Sequence, residues 1–409
     1  MNCNAPFTYL GLNQHGTIQP CCINSIEIKN KYKLLKDIWF GIEFTDLRNN
    51  ISQNRFDYYY CNFCFEQFTN KVSNCHADSY KTFRINSNGF PSFLKIAYSN
   101  KCNLSCIMCN EVYSSSHNNT IDKFNGNKYY EELDDFIPHL DTVSFSGGEP
   151  FLIDDYYKLF SRINQLKSSV DIHITTNGTV FNEKVKSFLN NSNSFVTVSI
   201  DSISESVYNK IRTNSCLSKV LDNLQKIKNN CQFVDVNLCV TKINVGDLYA
   251  TINYFTNNNL QVNINVAKYP IKYSLFYLES KELDKVCQNL KSNCKKLNFS
   301  SKAGNYNFLQ CMNLINVLES FSLEYQNPQK FIYNIDNFNM LFYEAIKESG
   351  KKCFDDIKQI TFTIPNYLFT DKFLTNFFKY NPPTTLVKMV NYSNSTIQDF
   401  IVSNAFYLK

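Results

Sequence analysis

Residues 195–202 read FVTVSIDS. Val196, Val198 and Ile200 share one parity, and Thr197, Ser199 and Asp201 share the other. Successive side chains of a strand point to opposite faces, so this is a strand with one apolar and one polar face. The alternation recurs on either side. Leu94 and Ile96, Val143 and Phe145, and Ile172 and Ile174 precede it; Val236, Leu238 and Val240, then Val262, Ile264 and Val266, follow. The opposite parity carries Ser144 and Ser146, His173 and Thr175, Asn237, Cys239 and Thr241, and Asn263 and Asn265. Strands are expected near 94–99, 141–146, 171–176, 195–200, 234–241 and 261–267, with helical stretches between them, which predicts repeated βα units and a parallel sheet. A closed eight-stranded barrel fills its interior with Val, Ile and Leu, and a doubly wound sheet reads as continuously apolar. One polar face per strand instead predicts an α/β fold: a partial (βα)6 TIM-like barrel with helices outside and a hydrated lumen.

The 409 residues suggest two or three packed units. Residues 1–90 form a cysteine-rich unit, with an amphipathic stretch from Tyr32 to Asn49 that places Leu34, Leu35, Ile38, Trp39 and Ile42 at helical spacing. The breaker-rich RINSNGFPS, 84–92, marks its end. Residues 91–275 are the barrel core. Residues 276–409 read as a mostly helical, capping or substrate-facing region, with helices expected over Ser280–Leu297, Asn305–Ser322 and Asn337–Glu348. The net charge of +5 is spread along the chain without a basic block, so neither nucleic acid nor a membrane surface is an expected partner. No run of eighteen apolar residues and no secretory leader is seen, which predicts a cytoplasmic protein. In that reducing compartment sixteen cysteines point to metal sites or catalysis rather than disulfides.

Directly after the first expected strand comes KIAYSNKCNLSCIMCNE, with three residues between Cys102 and Cys106 and two between Cys106 and Cys109. Such a loop can wrap a corner of a [4Fe–4S] cube. Three thiolates bind three irons and leave the fourth open to an amine and a carboxylate, so the cluster can pass an electron to a bound sulfonium. Zinc normally takes four ligands in two close pairs; no fourth ligand is near in sequence.

Three other strand ends carry polar residues: SFSGGEP with Gly147, Gly148 and Glu149; TTNGT with Asn177; and SIDS with Ser199. Convergence of strand ends on one rim is how parallel barrels build sites. The glycine pair allows backbone carbonyls to approach a ligand amine, or is a simple turn. Arg212 follows SIDS and either pairs with a ligand carboxylate or is a solvated helix charge. Cys239 lies on the lumen parity, where a thiol could return a hydrogen atom to a substrate radical; a packed small side chain is the alternative. His173 shares that parity as a base or as hydrogen-bonded structure. Ser114, Ser115 and Ser116 are expected to cap a helix.

CNLSCIMC, SGGEP, TTNG and SIDS, in this order on successive strand ends, resemble the radical S-adenosylmethionine (SAM) superfamily over about residues 94–270. The resemblance implies that Cys102, Cys106 and Cys109 hold a SAM-binding [4Fe–4S] cluster and that Met108 lies near the adenine, although Met108 departs from the aromatic residue often found there. It further implies that Gly147, Gly148 and Glu149 face the methionine amine, and that Asn177, Ser199 and Arg212 help hold the ribose or carboxylate. The product would be a 5′-deoxyadenosyl radical. An electron donor such as flavodoxin or ferredoxin is implied as a partner.

Toward the amino terminus, Cys3, Cys21, Cys61 and Cys64 can together hold a second cluster or a tetrahedral zinc. With the Gly16-to-Cys21 element they resemble the twitch or SPASM domain that carries an auxiliary [4Fe–4S] cluster, here placed before the barrel rather than after it. Cys22 is an alternative to Cys21, and Cys75 is left over, most simply as a buried thiol. Three functions are consistent with these residues: hydrogen abstraction from a peptide, dehydrogenation or epimerisation of a sugar or other small molecule, and a non-catalytic iron–sulfur carrier.

Overall fold

The chain is described here from a computed structural model, which describes residues 3–13, 18–22, 34–56, 61, 64–65, 68, 77–110, 113–117, 129, 131–267, 270, 273–275, 278 and 280–325. Cys75, the helix expected over Asn337–Glu348 and the last fifty residues lie outside them. Two units are distinguished. One comprises Met1–Ser105, Glu111–Ser199 and Thr213–Asp235; the other comprises Cys106–Asn110, Ile200–Arg212 and Val236–Lys409.

The first unit is built on β1 (Tyr9–Asn13), β2 (Ile18–Gln19), β3 (Phe93–Ala97), β5 (Thr142–Phe145), β6 (Asp171–Thr176) and β7 (Asn193–Ser199), with the two-residue β4 (Ser105–Cys106) after β3. Parallel pairing runs β1 to β3, β3 to β5, β5 to β6 and β6 to β7, with Leu94 opposite Val143, Val143 opposite Ile172, and Ile174 opposite Val196. The apolar parity faces the core. Leu94, Ile96, Val143, Phe145, Ile172, Ile174, Val196 and Val198 are all buried, and each contributes about 1.5–3 kcal/mol relative to exposure. Helix Asp154–Leu166 covers them with Tyr156, Leu159, Phe160 and Ile163, an i, i+3, i+4, i+7 stripe. The opposite parity is wetter: His173 is exposed and stacks on Phe195, centroids 4.8 Å apart.

In the second unit, β9 (Phe233–Val240, from Val236 onward) pairs in parallel with β10 (Val262–Val266). Val236, Leu238, Val240 and Val262 are buried, whereas Ile264 and Val266 are only half-buried. Helices Ser280–Cys294 and Lys302–Tyr325 follow, close to the expected spans. The mostly parallel α/β order of a partial TIM-like barrel is therefore what the alternation predicts.

Two expectations change. The segment before residue 90 supplies β1, which lies in register against β3 with Tyr9 opposite Phe93 and Leu12 opposite Ile96. The cysteine-rich segment thus contributes a strand to the sheet. The single amphipathic stretch is two helices, Leu35–Trp39 and Ile42–Ser52. They break at Gly41, where a Cβ would stand 2.3 Å from the Asp37 carbonyl oxygen. The break resets the helical phase, so Leu35, Ile38, Trp39, Phe44 and Leu47 are buried while Leu34 and Ile42 are exposed.

Candidate active site

The three-cysteine loop leaves β3 and is fastened before it reaches its first cysteine. The Gly148 amide donates to the Ser99 carbonyl (2.9 Å) and the Glu149 amide to the Lys101 carbonyl (2.8 Å). Tyr156, fully buried, donates its hydroxyl to the Ser146 carbonyl (2.8 Å) and accepts from the Tyr98 amide (2.9 Å). The end of β5 is thereby strapped to the end of β3.

This strap explains the glycine pair. Gly147 has φ 112°, a region that L side chains rarely enter, and its Cβ would lie 2.4 Å from the Ser99 carbonyl oxygen. A Cβ on Gly148 would lie 2.2 Å from the Lys101 oxygen and 2.4 Å from that of Asn100. The close approach seen is to the cysteine loop's own backbone. Replacing Gly148 by Ala is expected to displace residues 99–101, at a cost of about 1–3 kcal/mol, and to lower iron uptake. Gly246→Ala, where nothing lies within 4 Å of the added Cβ, should leave both melting temperature and iron content unchanged.

Ser114 precedes the 3-10 turn Ser115–His117, where its Oγ accepts from the Ser116 amide (3.4 Å), and the three serines also buckle the cysteine loop. Ser115 Oγ accepts from the Cys102 amide (3.1 Å), Ser116 Oγ donates to the Cys102 carbonyl (2.7 Å) and Ser114 Oγ donates to the Leu104 carbonyl (2.9 Å). Hydroxyls compete well for loop backbone groups that no strand or helix satisfies.

Glu149 has no exposed surface. Its carboxylate accepts from the Phe151 amide (3.0 Å), Thr176 Oγ1 (2.7 Å) and the Asn177 amide (2.7 Å). The side chain therefore locks the β5 end to the β6 end, and any contact with a methionine amine falls to backbone groups of the motif. Asn177 is also engaged. Its Nδ2 donates to Asn103 Oδ1 (2.9 Å) and lies 3.9 Å from Cys102 Sγ, while its Oδ1 accepts from the Thr179 amide (2.9 Å) and hydroxyl (2.6 Å). Ser199 closes β7 and is buried.

The second unit holds the rest of the loop. The Cys109 amide donates to the Cys106 carbonyl (3.0 Å) and the Ile107 amide to the Ile211 carbonyl (2.9 Å); Met108 is half-buried in the turn between the cysteines. Arg212 follows helix Glu205–Ile211, opens the two-residue β8 (Arg212–Thr213), and is not a solvated charge. It is 7% exposed and its guanidinium pairs with Asp201, Nε to Oδ2 at 2.7 Å and Nη2 to Oδ1 at 3.3 Å. Burial alone lowers its pKa, but Asp201 and then Cys106 outweigh that and hold it above its usual value. Cys239 is half-buried, with its amide on Asp201 Oδ1 (2.8 Å). Loss of water, with Asp201 adding, pushes its thiol up to about 12, so it stays an S–H at neutral pH. Asp201 and Asn103 escaped the sequence reading as site residues. The polar parity of SIDS already pointed Asp201 away from the core, but only the fold places Arg212 beside it.

Donor chemistry fits thiolate ligands of an iron–sulfur cluster. Asn177 Nδ2 and Arg212 Nη1 each lie 3.9 Å from a cysteine sulfur, of Cys102 and Cys106 respectively. N–H groups aimed at sulfur stabilise ligating thiolates. No group of three or more His, Cys, Asp or Glu is gathered closely enough for a single metal ion among the described residues. Thiolates on separate irons of one cube stand farther apart than ligands of one ion.

Residues 96–255 match the family described as the radical SAM superfamily. The chain contains a radical SAM domain. A GTP 3',8-cyclase of Clostridium perfringens (strain 13 / Type A) is 27% identical over 179 residues, which cover 42% of this chain and 53% of that protein. The chain thus spans about half the length of the curated relatives it matches. Among solved structures, native anSMEcpe with bound AdoMet is 21% identical with a TM-score of 0.41, covering 49% of this chain and 59% of that one. Streptococcus suis SuiB bound to precursor peptide SuiA is 15% identical with a TM-score of 0.41, covering 76% and 74%.

The amino-terminal cysteines sit in the first unit. Cys3 and Cys21 pack on a cluster of Ala5, Tyr9 and Tyr80; Cys3 and Cys61 pack on Leu47, Ile51 and Phe56. Cys3 thus touches both groups, and Cys64 is buried. The Cys22 amide donates to the Tyr80 hydroxyl (2.6 Å). Burial, then the nearby Cys22 and Cys21, push the Tyr9 and Tyr80 phenols up. No helix among the described residues is long and apolar enough to cross a membrane.

Proposed function

We propose that this chain is a radical SAM enzyme in which Cys102, Cys106 and Cys109 hold the SAM-binding [4Fe–4S] cluster. The observation that carries the reading is the cysteine loop strapped to the SGGEP turn, inside a segment that matches the superfamily. When bound, the cluster supplies the electron that cleaves SAM to methionine and a 5′-deoxyadenosyl radical. The chain's own residues do the positioning: Ser114 to Ser116 and the glycine pair fix the loop, Glu149 and Asn177 tie the neighbouring strand ends to it, and Met108 is assigned to the adenine. Asn177, Ser199 and the backbone of Gly147 and Gly148 are assigned to SAM. A half-buried S–H at Cys239 suits return of a hydrogen atom to a substrate.

Cys3, Cys21, Cys61 and Cys64 are assigned to an auxiliary [4Fe–4S] cluster. Cys3 borders one hydrophobic cluster together with Cys21 and another together with Cys61, which supports a common site. Flavodoxin or ferredoxin is the expected electron donor. A peptide is the first substrate class, on the twitch/SPASM resemblance; a sugar or other small molecule is the second.

Anaerobically reconstituted full-length protein, reduced with dithionite in the presence of SAM, is expected to release 5′-deoxyadenosine. Iron and sulfide should approach about eight each per chain for two cubes. No 5′-deoxyadenosine from cluster-loaded protein overturns the enzyme reading, and four iron with one zinc overturns the auxiliary cluster. GTP belongs among the test substrates, because the curated relatives are named for acting on it.

A further inference from the structure

We propose that Arg212, held by Asp201, is a positioning residue that donates an N–H···S hydrogen bond to Cys106 and so raises the reduction potential of the centre bound there. The inference rests on the cluster assignment above and differs from the ribose- or carboxylate-holding role that the sequence resemblance implies for Arg212.

A guanidinium carries five N–H donors in a rigid planar fork. Here the Nε and Nη2 edge, the one that suits bidentate capture of a carboxylate, is already taken by Asp201 at 2.7 and 3.3 Å. The remaining Nη1 stands 3.9 Å from Cys106 Sγ, within hydrogen-bonding reach of a sulfur acceptor. The arrangement is fixed from behind. Asp201 is fully buried, its Oδ1 also accepts the Cys239 amide (2.8 Å), and its backbone carbonyl accepts Asn244 Nδ2 (2.8 Å). Asn244, itself buried, donates as well to the Cys239 carbonyl (2.9 Å) and accepts from the Thr241 amide (2.7 Å). The fork therefore cannot swing out to clamp a ligand without abandoning a buried carboxylate, which is strongly unfavourable.

Hydrogen bonds to cluster sulfurs are an established lever on iron–sulfur potentials. A donor stabilises the reduced, more negative cluster more than the oxidised one. In low dielectric, the pair's net charge decides the sign of any further shift. The two partners therefore make opposite predictions, which a purely structural ion pair does not.

The test is an EPR-monitored potentiometric titration of the reconstituted full-length protein; the relevant centre is the one whose signal changes when SAM is added. The double variant Asp201→Asn/Arg212→Gln removes both charges together and so avoids an uncompensated buried ion. Its reduced-to-oxidised ratio at a fixed poise is expected to fall about tenfold, a shift of about −59 mV for one electron. Asp201→Asn alone should shift the potential upward, because the guanidinium charge is no longer neutralised, and Arg212→Lys should fall between wild type and the double variant. Unchanged potentials across the set overturn the proposal. So does a double variant that keeps its potential while its equilibrium affinity for SAM drops, since Arg212 is then a ligand clamp. Wild-type protein that takes up no cluster overturns the proposed function instead.

Discussion

Cys106→Ala is expected to reduce 5′-deoxyadenosine formation to background and to lower the iron content by about four per chain. Cys106 is the loop cysteine with the least exposed surface, it sits beside Arg212, and its carbonyl accepts the Cys109 amide (3.0 Å). On the proposed assignment, removing its thiolate takes one of three ligands from a centre that lacks a fourth. The backbone turn should survive, because its hydrogen bonds use main-chain atoms and Ala can adopt the same conformation. Circular dichroism should therefore match wild type while iron and product are lost. Cys216→Ser is the control. Cys216 is exposed and contacts Ser218, so cluster content and activity should be unchanged. Equal losses in both variants would mean general thiol damage rather than loss of a ligand.

Glu149→Ala carries the second large effect, and it should appear in stability before any ligand is added. Three donors converge on this buried carboxylate. Each one left without an acceptor costs about 1–3 kcal/mol, and because they share a partner the total is on the order of 4 kcal/mol rather than the full sum. The melting temperature should fall on the order of 10 °C for a unit of this size. Glu149→Gln should lie between, since its amide keeps one acceptor oxygen but turns an NH2 toward a donor. If Glu149 acted only by binding a ligand amine, the protein without SAM would melt as wild type and only SAM affinity would change.

These two predictions mark where the sequence was legible. Strand positions followed from parity: the expected 171–176 matches Asp171–Thr176, and 195–200 overlaps Asn193–Ser199. A side-chain period of two is local and leaves its trace in every strand. The break at Gly41 was not legible, because the apolar spacing continues through it and only the geometry of the Asp37 carbonyl shows that no Cβ fits. β1 was hidden for a different reason. Tyr9–Asn13, YLGLN, is too uniformly buried to show alternation, and its pairing with β3 spans more than eighty residues.

The motifs themselves were visible, but their internal roles were not. SGGEP signals an approach of backbone without a Cβ; what it approaches, residues 99–101, is a tertiary fact. Ser114 to Ser116 look like a cap because hydroxyls serve both caps and loops, and the choice depends on which orphan amides lie nearby. Arg212 shows the same limit. On a linear chain an Arg after a helix is a generic surface cation, and its burial against Asp201 requires a strand end and a helix end eleven residues apart to meet.

What the sequence by itself determined is the α/β order, the cysteine loop and the rim motifs, because these depend on periodicity and on spacing within a few residues. What only the tertiary structure decided is which side chains are already committed: Glu149 to the neighbouring strand end, Ser115 to the loop, Arg212 to Asp201. The physical reason is that burial turns each polar group into one that must find a partner, and for these three side chains such partners lie up to 28 residues away in the chain.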